Sequence, residues 1–222
     1  MQDTFLKIAQ KCRRKFVVVQ AGETTTFIEE LCRDLPGIIS TLESHQVQGF
    51  HEAAGWMISS HPDAGAREVL TDALMSLYNR LWQRLMLEAQ KSADHLRNAE
   101  ALKEIQRILR TNAAVCRSVG PSFGKQLAQL YLDMLNLYKA LSGFLRAAVA
   151  AAGEVALQST AAKAMRAVKK EILLLIGAGE RRPRIVTTPM RPRSFSLLPS
   201  QRRTSRARTM HEALPSTLSR RC

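Results

Sequence analysis

The chain has 222 residues, of which 45% are hydrophobic and only 5% aromatic, and 33 Lys and Arg against 19 Asp and Glu give a formal net charge of +14. That length supports one or two ordinary domains with a sizeable core. No apolar run approaches the roughly 20 residues that span a bilayer, and the start MQDTFLKIAQKCRRKF lacks the apolar centre of a signal peptide. The expected compartment is the cytosol or nucleus, with no membrane partner.

In chain order the apolar residues recur with helical periods throughout. A first helix over about 2 to 19 places Phe5, Ile8, Ala9, Cys12, Phe16 and Val19 on one face. TTTFIEELCRDLPGIISTL follows, opened by a capping box from Thr26 to Glu29 and kinked or ended by Pro36. Ser44 is the expected N-cap of a helix over about 45 to 60, closed by SHPDAG. A long pattern over about 66 to 92 holds Leu70, Leu74, Leu77, Leu81, Trp82 and Leu85, with a bend expected near Tyr78 and Asn79. A helix over about 99 to 118 ends at Gly120 and Pro121. The next, over about 122 to 152, carries an apolar stripe of Leu127, Leu130, Tyr131, Met134, Leu135, Tyr138 and Leu141. The last runs over about 159 to 176.

Helices joined by short connections, without any strand pattern, leave bundles and α-solenoids as the architectures. Helix starts near 25, 66 and 122 mark hairpin units roughly 40 to 55 residues long, near the range of HEAT and armadillo repeats. The pattern alone therefore gives an all-α fold, either a bundle or an α-solenoid. From Gly177 the sequence turns rich in Arg, Ser and Pro, with little apolar periodicity, and residues 177 to 222 are read as a disordered basic tail. Between Ala178 and Cys222 eleven arginines stand against only Glu180 and Glu212. RPRSFS and RRTS resemble substrates of basophilic kinases, and clustered arginine suits an import signal or nucleic acid. An unrelated sequence joined at this point by a truncated or misread gene fits the abrupt change equally.

No motif points to catalysis. There is no GxGxxG or Walker loop, no HExxH and no GxSxG, and the five histidines are scattered. Neighbouring carboxylates such as Glu29 and Glu30 suit an exposed helix turn. Cys12, Cys32, Cys116 and Cys222 form no CxxC pair, and the first three fall on apolar helix faces, where buried free thiols are expected. No cofactor or metal is implied.

Four stretches carry a resemblance. FLKIAQKCRRKFV at 5 to 17, ILRTNAAVCRSVG at 108 to 120, YLDMLNLYK at 131 to 139 and MRAVKKEIL at 165 to 173 resemble, in order and spacing, successive parts of the exportin-1 family. These are karyopherin receptors that carry proteins with leucine-rich signals out of the nucleus. The resemblance covers residues 1 to about 176 and only a portion of a much longer HEAT-repeat receptor, and it implies a HEAT-repeat α-solenoid over residues 1 to 176, resembling the central to C-terminal part of that receptor. It implies a non-enzymatic protein, present in nucleus and cytoplasm, that binds export cargo and the GTP form of the small GTPase Ran. It makes YLDMLNLYK an outer helix packed on the helices before and after it. It also places the family's signal-binding groove, with its reactive cysteine, upstream of FLKIAQKCRRKFV, so this chain alone is not expected to bind an export signal.

By the same resemblance the first helix, the helix over 99 to 118 and the last helix face the receptor's interior. Lys11, Arg14, Arg110, Arg117, Arg166, Lys169 and Lys170 are then the candidates for a weak Ran contact, through charge complementarity with an acidic surface. The same residues suit a solvated helix face. A basic-tailed helical scaffold that binds nucleic acid is the second functional class left open.

Overall fold

The computed structural model of the chain describes residues 2 to 180, and among them there is no strand. Eight helices follow one another: α1 (Gln2–Cys12), α2 (Phe27–Arg33), α3 (Leu35–Ser40), α4 (Ser44–Ser59), α5 (Ala64–Lys91), α6 (Ala99–Val119), α7 (Gly124–Ala152) and α8 (Thr160–Glu180). They form two layers. In one, α1 packs on α4, α4 on α6 and α6 on α8; in the other, α2 packs on α5 and α5 on α7. Short turns carry the chain from layer to layer, which makes successive long helices antiparallel and the whole a stack of helix hairpins. This is the all-α solenoid, one of the two architectures that the periodicity left open and the one that the resemblance implied.

Local chemistry sets most of the helix ends. Thr26 caps α2 as expected: its backbone N–H donates to Glu29 Oε2 at 2.7 Å, and its side chain accepts from the Glu29 backbone. That backbone donation, with the Thr26 hydroxyl beside it, holds the Glu29 carboxyl below its ordinary range. Pro36 sits in the first turn of α3, where its missing N–H costs nothing, so the chain breaks at Asp34 and restarts. Asn98 caps α6 through Oδ1 to the N–H of Glu100 at 2.8 Å. Gly120, at φ 74°, ends α6 in a conformation that a side chain would strain.

Four expectations change. The N-cap of α4 is Glu43 and not Ser44, because the Gln46 side chain reaches back to the Glu43 N–H at 2.9 Å. α1 stops at Cys12 and tightens into a 3-10 turn over Arg13–Val17, which rotates the face: Ala9 and Val17 are buried, while Ile8, Cys12 and Val19 are exposed. α5 runs unbroken past Tyr78 and Asn79, since Tyr78 is buried in the core and the Asn79 amide is engaged by Gln126. α8 continues through Gly177 to Glu180, so the first residues assigned to the tail are helical. The remainder of that segment, from 181 to 222, lies outside the described residues.

The interior runs continuously between the layers, from Ala9 and Leu35 through Trp82, Ile105 and Met134 to Leu175. The stripe of α7 that enters it is Leu130, Met134, Leu137, Leu141 and Leu145. Tyr131 is 42% exposed, so the stripe is rotated from the one the sequence suggested, with Leu137 taking the inward place. α4 and α6 approach closely at Gly55. A Cβ on Gly55 would stand 2.0 Å from Ser118 Oγ, so only glycine fits there.

Candidate partner-binding face

The layer made of α1, α4, α6 and α8 presents the cations singled out from the sequence. The apolar stripe of α6, with Leu102, Ile105 and Leu109, and that of α8, with Met165, Val168, Ile172 and Leu175, turn into the core. Helical periodicity then sends Arg110, Arg117, Arg166 and Lys170 outward, and all four are exposed. The first helix, the helix over 99 to 118 and the last do share one layer, and α4 completes it between α1 and α6.

The cations do not form one patch. Arg110 and Arg117 line a groove of about 300 Å³ between α6 and α8, with Gln48 of α4 beside them. Arg110 is already engaged: its Nε donates to Glu171 Oε1 at 2.8 Å, and Gln106 Nε2 approaches the same oxygen at 3.5 Å. Arg166, Lys169 and Lys170 line a second groove of about 400 Å³ with Tyr138, Leu173 and Leu174. There the Lys169 ammonium lies 4.5 Å from the Tyr138 ring centroid, a cation–π contact that fixes its direction. Lys11 and Arg14 are exposed at the far end of the layer and line neither groove.

Glu171 is the residue that sequence reasoning missed. It is only 8% exposed and answers Arg110 across helices. Its signal is present, because an acid stands directly beside Ile172 in the apolar stripe of α8, where an unpaired charge would be costly.

Buried His51 and half-buried Cys32 have strongly shifted pKa values. His51 is fully buried; its Nδ1 faces the Val47 carbonyl at 2.7 Å, and its ring meets Phe50 and Tyr78 edge-on. Burial lowers its pKa to about 4. The Cys32 thiol is pushed up to about 12 by burial, so it stays protonated and unreactive. Cys12 is exposed, contrary to the buried state expected for it, because α1 ends there. Among the described residues no group of three or more His, Cys, Asp and Glu is placed to hold a metal ion. No helix among them is long and apolar enough to cross a membrane.

Shallow, charged grooves on a stack of amphipathic hairpins define a helical-repeat scaffold. A family profile described as CRM1 C terminal matches residues 126–179. The chain is similar to exportin-1 of Schizosaccharomyces pombe, 43% identical over 176 residues, which is 79% of this chain and 16% of that protein. It is 42% identical to exportin-1 of Drosophila melanogaster and 40% identical to the protein exportin 1B of Arabidopsis thaliana, each over 174 residues. The chain is thus similar to one portion of exportin-1, and it spans 16% of the length of these relatives.

Proposed function

We propose that this chain acts as part of a nuclear export receptor, contributing by protein contact to the export of proteins with leucine-rich signals in a manner that depends on Ran and GTP. The observation that carries the reading is the similarity to exportin-1, at 43% identity over 176 residues. The basic layer supports a partner role. Arg117, Arg166 and Lys170 are exposed, and none of them is paired with an acid among the described residues, so they are available to an acidic surface. Such charges set orientation and association rate more than affinity. The chain would then move between nucleus and cytoplasm with its partners.

The test is binding to immobilised Ran loaded with GTP or GDP. The expected result is a weak contact specific to the GTP form, lost when Arg166 and Lys170 are both changed to Glu with helicity unchanged. Binding to RNA that falls about 10³-fold or more between 50 and 200 mM salt, with no response to Ran, would replace this reading by a nucleic-acid one.

A further inference from the structure

Each hairpin of the stack meets the next through one stripe on each of its helices, and on α7 and α8 a second stripe is left only partly covered. Gln126, Gln129 and Asp133 of α7 face α5, where they bond to Asn79 and Trp82. At about 100° per residue, Tyr138, Ser142 and Val149 lie within about 40° of the opposite side, and there they line a groove of about 660 Å³. On α8, Glu171 faces α6. Arg166, Lys169 and Leu173 lie within about 40° of the side opposite to it and line the adjoining groove of about 400 Å³. The two grooves share Tyr138 and Lys169, and Leu173 is 57% exposed. Among the described residues no helix follows α8 in its layer or α7 in the other.

The preceding interface shows what fills such a place. There α6 offers Arg110 and α5 offers the Trp82 indole, and the incoming hairpin answers with Glu171 and Asp133 beside buried Met134 and Ile172. At the partly covered side α8 offers Arg166 and Lys169, and α7 offers Arg146. We infer that the α7–α8 groove docks an amphipathic helix of another polypeptide, its apolar face on Tyr138 and Leu173 and its carboxylates opposite Arg146, Arg166 and Lys169. Charge selects this occupant. Residues 181 to 222 hold eleven arginines and one glutamate, and a second copy would bring the same cations to the same rim. Both are repelled where an acidic helix is attracted. The inference rests on packing and charge and is independent of the transport reading.

The experiment titrates the full chain against a labelled synthetic helix of about 20 residues, long enough to sustain helical structure, with a leucine face and either Glu or Lys flanks. The Glu-flanked helix binds saturably and at least about tenfold more tightly than the Lys-flanked one. Leu173→Asp, at an exposed position, weakens it by a similar factor with helicity intact, and Lys169→Glu narrows the preference between the two probes. Equal binding of both probes, or binding indifferent to Leu173→Asp, overturns the inference. A discrete dimer dissolved by Leu173→Asp assigns the groove to a second copy and overturns it too, as does displacement of the probe by a peptide of residues 181 to 222.

Discussion

Asn79 of α5 and Gln126 of α7 exchange two amide hydrogen bonds, 2.9 Å in one direction and 2.7 Å in the other, within the layer that these two helices share. Gln126 also donates to Asn112 Oδ1 of α6 at 3.0 Å, and the Asn112 amide donates to the Ile108 carbonyl at 2.9 Å. Gln126 and Asn112 are essentially fully buried, so three helices of successive hairpins are registered by one satisfied polar chain.

Gln126→Leu is expected to cost about 1–3 kcal/mol, because it strips partners from Asn79 and Asn112 while adding apolar volume. A fall in Tm of several degrees would register it. Pairing it with Asn79→Leu should recover part of the loss, since one orphaned amide is removed; equal or greater destabilisation of the double variant would contradict the account.

His51 gives the fold a specific acid sensitivity. Its folded pKa, about 4, lies below the ordinary 6.5, so the unfolded chain takes up a proton first as the pH falls. The stabilisation from the neutral ring is complete above about pH 6.5 and disappears progressively between 6.5 and 4, about 3 kcal/mol in all. Arg107, whose cation lies 5.8 Å from the Tyr78 ring beside His51, adds to the penalty on a charged imidazole. Denaturant midpoints measured across that window should decline in the native chain and decline less in His51→Phe.

The pair of Arg110 and Glu171 should respond asymmetrically. The Arg110 side chain is 52% exposed and the Glu171 side chain only 10%. Arg110→Met leaves a largely buried carboxylate without its cation, whereas Glu171→Met leaves an arginine that water can solvate. The first should lower stability by about 1–3 kcal/mol, and the second should be close to neutral. Chemical denaturation of the two variants checks the order, and the reverse order would remove Glu171 from the role given to it.

The helix boundaries most readable in the sequence are those set within a few residues. Thr26 with Glu29, Pro36 and Gly120 carry their own geometry. The inward face of α7 was harder to place, because Tyr131 and Leu137 are both large and apolar, and only the neighbouring α5 and α8 decide which one turns in. Cys12 was misplaced because a switch to 3-10 geometry has no strong local mark. At the candidate site, the cations and their helices were legible from composition and period. Their division between two grooves was not, since Arg110 is tied to Glu171 from 61 positions away and Lys169 to the Tyr138 ring.

In the basic layer α6 has α4 on one side and α8 on the other, while α1 and α8 each have a single described neighbour. Such an order makes resistance to opening depend on position along the stack. The amide protons of α6 should be the slowest to exchange with deuterium and those of α1 and α8 among the first. Unravelling would proceed inward from the two ends, so a partner seated beside α8 would act as a stopper, slowing exchange in helices that it never touches.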